Sequence, residues 1–246
     1  MCVLGCGGTG KSQLIRAITA YLTETNRTHK LRKLAPTSVA AAEIDGMTVH
    51  SFLGCARNRK AKSNLDNRPG QIKLENAWRS VEYIILDEIS MVGLSLLGRL
   101  NKLVSTAKHA DPMTIMGGVN IIFFGDYIQY SPVLDKSLYY EFSATATDNR
   151  NVKAKVLTEN EIQQKSARAL ILQINCVVIL EQQMRTKDLP YQALLNRVRN
   201  GNGTYEDWLL LRTRVIGVGL HISLNEPPWN EVCYMPITHC WIGLTA

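Results

Sequence analysis

The sequence predicts an α/β protein built around a mostly parallel sheet. Short β-rich runs alternate with helical patterns along the chain, which is the order expected of βαβ units. Two of the runs, YIILDE and VNIIFFGD, are apolar throughout and end in carboxylates, as expected of central strands buried on both faces. We therefore expect the carboxyl ends of these strands to form the edge that carries the functional groups.

The alternating elements follow one another to about residue 212. In chain order they are Met1–Gly5, Ser12–Thr23, Leu31–Ala35, Val81–Leu86, Leu94–Thr106, Val119–Phe124, Cys176–Leu180, Tyr191–Arg199 and Thr204–Arg212. Residues 57–71 and 145–155 are polar and predict exposed connections. From residue 217 onward the apolar residues lose their periodicity. We expect one full domain over residues 1–172 and the truncated start of a second over residues 173–246.

Composition limits the classes of protein that the chain can represent. Of its 246 residues, 46% are hydrophobic and 20% are charged, which suits a globular protein with a substantial core. The net charge of +7 makes a polyanion a reasonable partner, although many basic proteins bind no nucleic acid. Six scattered cysteines without a C-x-x-C pair indicate neither a zinc site nor a disulfide framework. With short apolar stretches and no signal-like N-terminus, we expect an intracellular protein with no membrane partner.

A glycine-rich run follows the first strand and precedes the first helix. The run GCGGTGKS fits the P-loop pattern G-x-x-x-x-G-K-[ST] in its strand-loop-helix setting. Glycines let backbone N–H groups approach phosphates, and Lys11 would add a positive charge at the β- and γ-phosphates of ATP. Ser12 would supply a hydroxyl ligand to Mg²⁺. The predicted nucleotide-binding residues are Gly5, Gly7, Gly8, Thr9, Gly10, Lys11 and Ser12. A purely structural glycine turn is the alternative.

Polar side chains follow the two apolar strands at the same predicted edge. Asp87 would hold Mg²⁺, and the adjacent Glu88 could act as the general base that polarises the attacking water. The alternative is that Asp87 caps the following helix, for which Ser90 is an equally good candidate. Gln129, after the strand that ends at Phe124, could sense the γ-phosphate or orient water, or it could be a surface glutamine.

Taken together, these segments resemble the ordered motif set of Pif1-family helicases within superfamily 1. The motifs that carry the resemblance are GCGGTGKS, LAPTSVAAAEIDGMTVHSFLG, LDEISMV, FGDYIQYSPV and LEQQMR, and the likeness covers about residues 1–216. The resemblance implies a RecA-like P-loop domain and the incomplete start of a second RecA-like domain. It also implies an ATP-dependent DNA helicase that uses ATP and Mg²⁺ to move along single-stranded DNA.

The resemblance assigns two further sets of residues. It implies that Pro36, Thr37, His50 and Phe52 contact single-stranded DNA, which suits hydroxyls that bond phosphates and rings that stack on bases. Spacing alone favours instead a core position for Phe52 and a structural role for His50. The resemblance also implies that Arg185 is an arginine finger that reaches the γ-phosphate from the far side of the cleft. Because the second domain is incomplete, we expect Arg185 to be poorly held.

The sequence departs from the family pattern near the third motif. Where relatives usually show a GDFxQLPPV-like run, this chain has Tyr127, Tyr130 and Ser131, so the DNA-facing end of that motif is altered. A second hypothesis is a degenerate fragment that only binds nucleotide and DNA, and the completeness of the second domain separates it from an active helicase. A kinase or GTPase is disfavoured because no N-K-x-D motif is present.

The family resemblance also supplies the wider biological expectations. It implies a monomer that acts at duplex junctions with 5′-to-3′ polarity. The implied roles are DNA repair, recombination and telomere maintenance, with a nuclear location in a eukaryote.

Overall fold

The computed structural model describes residues 1–54, 75–111, 114–142 and 158–213. The strands are β1 (Cys2–Gly5), β2 (Leu31–Ala35), β3 (Met47–Thr48), β4 (Tyr83–Leu86), β5 (Asn120–Gly125) and β6 (Val177–Leu180). The helices are α1 (Lys11–Glu24), α2 (Ser38–Glu43), α3 (Val49–Gly54), α4 (Leu94–Ala107), α5 (Glu159–Leu172), α6 (Leu189–Arg199) and α7 (Tyr205–Arg212). Short 3₁₀ segments lie at Thr28–Lys30, Ile89–Met91 and Ile115–Gly118. The predictions for residues 57–71, 145–155 and the tail beyond 213 concern residues outside the described ranges.

The six strands form one sheet in the order β3-β2-β4-β5-β1-β6, with every pair parallel. Because parallel neighbours point the same way, the carboxyl ends of β1, β4, β5 and β6 meet at one edge. The predicted fold class of a parallel α/β sheet flanked by helices is confirmed.

The two apolar runs are buried on both faces, as the sequence predicts. Ile84 and Leu86 of β4 belong to one core cluster, whereas Ile85 between them belongs to the other. Alternate residues of a strand point to opposite faces, so a strand covered on both sides must be apolar at every position. Buried residues of α4 and α5 contribute to the first cluster, and those of α1 and α2 contribute to the second.

Among the described residues, strand β6 lies at one margin of the sheet and pairs with β1 alone. Its apolar side chains are poorly covered: Val177 is 55% exposed, Val178 37% and Ile179 64%. This strand differs from β4 and β5, in which Ile84, Ile85, Phe123 and Phe124 are fully buried.

The chain divides into two compact units, residues 1–187 and residues 188–246. The first unit contains the whole sheet. The sequence places a boundary after Leu172, and the difference arises because β6 pairs with β1 in the first unit. That the second unit begins another RecA-like domain stays a prediction.

Within the described part of the second unit, α6 and α7 are held together by an ion pair. Arg197 donates to both carboxylate oxygens of Asp207, Nε at 2.8 Å and Nη2 at 2.6 Å. Asp207 also completes a capping box at the start of α7, because it accepts the N–H of Thr204 while the Thr204 hydroxyl accepts the N–H of Asp207. One carboxylate therefore fixes both the helix start and the pairing of the two helices.

Candidate nucleotide-binding site and adjoining groove

The loop between β1 and α1 has the geometry of an anion-binding helix start. Gly10 precedes α1 with φ 92°, in the left-handed region that suits glycine, and no side chain caps the helix. The first N–H groups of α1 therefore remain available to a phosphate. Lys11 Nζ donates to the carbonyl oxygens of Gly5 at 2.6 Å and Cys6 at 3.1 Å, which holds the ammonium group within the loop.

Gly5 and Thr9 shape this loop from beneath. The Thr9 hydroxyl donates to the Cys6 carbonyl at 2.9 Å, and the Thr9 side chain is buried. A Cβ at Gly5 would lie 2.4 Å from Thr9 Oγ1, so only glycine allows the two to pack. Of the seven predicted nucleotide-binding residues, Gly5 and Thr9 support the loop from below, and the other five line a cavity above it.

At the end of β4, Asp87 is 6% exposed and accepts the N–H of Glu88 at 2.9 Å. Burial raises the pKa of Asp87 to about 6, because a carboxylate is poorly solvated there. Neither Asp87 nor Ser90 caps the next helix. The N–H groups of Ser95 and Leu96 at the start of α4 are instead bound by the carboxylate of Asp135 at 3.0 and 3.2 Å.

Glu88 itself sits in the left-handed region, with φ 50° and ψ 52°. This conformation costs free energy for a residue with a Cβ, and such positions concentrate at functional sites. The chain then approaches β5 closely, because a Cβ at Gly125 would lie 2.6 Å from Ile89 Cγ2. Gly125 therefore lets the ends of β4 and β5 lie side by side.

After β5, Asp126 organises the turn that carries Gln129. Its side chain accepts the N–H of Ile128 at 3.1 Å, and its carbonyl accepts the N–H of Gln129 at 3.2 Å. Tyr127 turns inward to meet Tyr139 edge-on at 6.0 Å. Burial raises the pKa of Tyr127 to about 12. Gln129 is exposed.

After β6, the chain carrying Arg185 lies directly against the glycine loop. Gln183 Nε2 donates to the Gly7 carbonyl at 2.8 Å, and the Met184 N–H donates to the Gly8 carbonyl at 2.8 Å. The backbone of Arg185 is held more firmly than expected, because β6 and these bonds fix it within the first unit. Arg185 therefore lies on the same unit as the glycine loop. The Arg185 side chain is exposed, so the expected loose placement of its guanidinium stays a prediction.

These segments enclose a pocket of about 380 Å³, the P-loop pocket. It is lined by Gly7, Gly8, Gly10, Lys11, Ser12, Gln13, Arg16, Ala40, Glu43, Asp87, Glu88, Gln129, Met184 and Arg185. The residues predicted to take part in catalysis are all among them: Lys11, Asp87, Glu88, Gln129 and Arg185. Sequence reasoning missed Arg16, which lies one helical turn after Ser12, and Glu43 at the end of α2. The helical spacing could have revealed the first, but the second depends on tertiary packing.

The pocket suits Mg²⁺ delivered with a nucleotide. Ser12 supplies a hydroxyl and Asp87 a carboxylate at the same pocket. Within the described ranges, no cluster of three or more His, Cys, Asp or Glu side chains forms a metal cage. Mg²⁺ is commonly held by one or two protein oxygens together with substrate phosphates and water, so the residues present fit this mode.

A second cavity of about 390 Å³, the Thr37 groove, lies on the same unit. It is lined by Pro36, Thr37, His50, Met91, Gly93, Ser95, Leu96, Arg99, Pro132, Val133, Leu134 and Asp135. Three of the four predicted DNA contacts are here. Arg99, one turn along α4 from Ser95, is an exposed cation that sequence reasoning missed.

Phe52 is a correction to the predicted DNA contacts. Its side chain is 7% exposed and packs in the core against Trp78, with ring centroids 5.0 Å apart. It does not line the Thr37 groove. A ring held in the core is not available to stack on a base, so α3 presents His50 to the groove and Phe52 to the interior.

The strand, glycine loop and helix, with a buried aspartate at the end of a second parallel strand, define the class of P-loop proteins. The chain belongs to the PIF1-like helicase family, whose family model matches residues 1–206. The resemblance noted from the motifs is thereby confirmed. No helix in the described part of the chain is both long and apolar enough to span a bilayer.

Individual relatives support the assignment. The ATP-dependent DNA helicase RRM3 of Saccharomyces cerevisiae is 30% identical over 204 residues, which are 82% of this chain and 25% of that protein. The ATP-dependent DNA helicase PIF1 of Mus musculus is 28% identical over 176 residues, 70% of this chain and 26% of that protein. The chain thus spans about a quarter of the length of these curated relatives.

Solved structures agree with the fold. The crystal structure of the Pif1 helicase from Candida albicans matches with a TM-score of 0.60 and 26% identity, covering 88% of this chain and 44% of that chain. Pif1 from Bacteroides in complex with ADP-AlF3 and ssDNA matches with a TM-score of 0.61 and 22% identity, covering 88% and 46%. At that identity, the second likeness shows the fold alone.

Proposed function

We propose that the chain carries the ATPase core of a Pif1-type DNA helicase, which binds Mg·ATP in the P-loop pocket and single-stranded DNA along the Thr37 groove. One observation carries the proposal: residues from four separate segments, Lys11, Asp87 with Glu88, Gln129 and Arg185, converge on one pocket. Such convergence is what phosphoryl transfer to water requires, since positioning and charge supply most of its catalysis.

Nucleotide binding rests on the glycine loop and Lys11. The ammonium group is bonded to the Gly5 and Cys6 carbonyls, and no side chain caps the first N–H groups of α1. Bound β- and γ-phosphates would take up these donors. Ser12 and Asp87 would hold Mg²⁺, which neutralises charge on the phosphate oxygens.

Hydrolysis would rest on three side chains around the γ-phosphate. Glu88 accepts a proton from the attacking water, Gln129 orients that water, and Arg185 stabilises charge on the transferring oxygens. Arg185 and Glu88 reach the pocket from the ends of β6 and β4, on either side of the β1 loop in the sheet order.

DNA binding rests on the Thr37 groove. Thr37, His50 and Arg99 offer a hydroxyl, an imidazole and a guanidinium to phosphates, and none of these groups reads sequence by itself. The net charge of +7 favours the same partner. Unwinding at duplex junctions, 5′-to-3′ movement, monomeric action, a nuclear site of action and roles in repair, recombination and telomere maintenance complete the proposal by family membership.

The test compares wild type, Lys11→Ala and Glu88→Gln in nucleotide binding and in turnover on single-stranded DNA. We expect Lys11→Ala to weaken ATP binding about a hundredfold, because it removes the main positive charge at the phosphates. Glu88→Gln should retain binding while turnover falls about a hundredfold or more, since the amide keeps the shape but accepts no proton.

Different experimental outcomes would refute different parts of the proposal. Unchanged ATP affinity in Lys11→Ala would refute the pocket assignment. A wild-type chain that binds ATP and DNA without turnover would support a binding module in place of an enzyme. Equal loss of binding and turnover in Glu88→Gln would indicate a structural role for that residue.

A further inference from the structure

The side-chain amide of Gln183 joins two segments that are far apart in sequence. Its Nε2 donates to the Gly7 carbonyl at 2.8 Å, and its Oε1 accepts the N–H of Arg185 at 3.0 Å. The amide nitrogen therefore donates to the glycine loop, and the amide oxygen accepts from the backbone of the arginine. No other residue type offers this pair at that length without changing charge or shape.

The glycine loop is shaped to receive this amide. A Cβ at Gly8 would lie 2.0 Å from Gln183 Oε1 and 2.8 Å from Arg185 Cβ, and Gly8 has φ +92°. A backbone bond from the Met184 N–H to the Gly8 carbonyl at 2.8 Å joins the same two segments one residue further along each. Gln183 thus fills the space that the missing side chain of Gly8 leaves.

We propose that Gln183 is a positioning residue that ties Arg185 to the glycine loop, so that the guanidinium is placed by the same loop that holds the phosphates. The proposal rests on the proposed ATPase function and deepens it. Arg185 is itself exposed, so its long side chain gains little order from packing. Fixing its backbone at one point reduces the freedom that must be lost when it engages the transferring phosphoryl group.

This arrangement requires a side chain at position 183 that carries both a hydrogen-bond donor and an acceptor. In Gln183→Glu, the donor to Gly7 becomes an acceptor that faces a carbonyl oxygen, and a negative charge is added near the phosphate site. In Gln183→Leu, the volume is nearly kept and both hydrogen bonds are lost. The neighbouring Gln182 is exposed and gives matched controls, Gln182→Glu and Gln182→Leu.

The experiment measures steady-state ATP hydrolysis by the full chain on saturating single-stranded DNA. Gln183→Leu and Gln183→Glu should each lower kcat about tenfold or more while KM for ATP changes less than about threefold in Gln183→Leu, because transition-state placement is lost but ground-state binding is kept. Both Gln182 variants should match wild type. In an Arg185→Ala background, Gln183→Leu should cause no further loss, because its effect acts through Arg185.

A second measurement does not depend on turnover. Hydrogen exchange of the segment that contains Met184 should accelerate in Gln183→Leu and stay unchanged in Gln182→Leu, since the amide anchors that segment to the loop. An inactive wild type would refute the proposed function, and unchanged exchange would then refute the tether separately. Wild-type kcat in Gln183→Leu, or an additive loss with Arg185→Ala, would overturn the positioning role even in an active enzyme.

Discussion

Asp87 is a buried carboxyl group whose ionised form destabilises the folded chain. It ends a fully apolar strand and is only 6% exposed, so its charge is poorly solvated. The folded-state pKa of about 6 exceeds the ordinary value of 3.8 because burial disfavours the carboxylate. A raised carboxyl pKa means that the folded chain prefers the protonated form, so ionisation at neutral pH costs free energy of folding.

Replacing that charge should stabilise the protein. In nucleotide-free protein with chelator, Asp87→Asn should raise the free energy of unfolding at pH 7.5 by about 1–3 kcal/mol, because no buried charge remains. The advantage should shrink as pH falls from 6 towards 4, where wild type becomes protonated. Denaturant unfolding of wild type and variant at pH 7.5 and at pH 4 measures this difference in the free energy of unfolding. A less stable variant at pH 7.5 would mean that the carboxylate has favourable partners.

The helical pair α6–α7 depends on one buried carboxylate. The Arg197 guanidinium, followed by the N–H of Thr204, holds the pKa of Asp207 well below its usual range. A depressed carboxyl pKa stabilises the fold above the unfolded-state value of about 4, and that contribution is lost as pH falls further. The packing of α6 against α7 should therefore become less stable in acid.

An exchange experiment tests this dependence. At pH 7, Asp207→Asn should reduce the hydrogen-exchange protection of residues 189–212 about tenfold or more, because the bidentate pair and part of the capping box are lost. At pH 3, with intrinsic rates corrected, the difference should narrow, because the carboxyl is protonated in the opened state and part of the stabilisation by the ion pair is lost. Glu206→Gln, at an exposed neighbour, serves as the control. A pH-independent difference would assign the effect to packing.

Most of the helices and strands that carry the site can be predicted from the sequence. Apolar runs that end in glycine or polar residues predict the strands β1, β4, β5 and β6. Helix α5 was missed, although Thr158 and Glu161 form a capping box that the sequence displays. The short elements α2, β3 and α3 were missed because two to six residues carry too little periodicity.

Contacts between distant segments were beyond sequence reasoning. The pairing of Gln183 with Gly7 joins positions whose proximity depends on β6 lying beside β1. The burial of Phe52 depends likewise on Trp78 packing against it, whereas the motif alone does not separate core from groove. Local pattern fixes which residues end a strand, and tertiary packing decides what those residues meet.

Across the whole first unit, three short segments each serve both cavities. Helix α2 is capped by Thr37, in the groove, and ends at Glu43, in the P-loop pocket. The segments 88–96 and 129–135 likewise contribute to the pocket at one end and to the groove at the other. The two cavities are therefore separated by at most a few turns of packed chain.

Arg99 allows the groove to be tested without disturbing the pocket. Arg99→Ala should weaken single-stranded DNA binding and reduce the slope of log affinity against log salt by about one, because one phosphate contact is lost. The KM for ATP without DNA should stay unchanged, since Arg99 does not line the P-loop pocket. Arg99→Lys should retain most of the affinity. An unaltered salt slope in Arg99→Ala would remove Arg99 from the DNA path.

The open margin at β6 has a consequence for how the purified chain behaves in solution. An edge strand with exposed apolar residues on both faces is a template on which another strand can add, and so a route to aggregation. Light scattering should therefore rise steeply with protein concentration. Ile179→Lys, at a side chain that is 64% exposed, should suppress this rise because a charge on the edge opposes strand addition. Equal scattering from both proteins would show that self-association starts elsewhere.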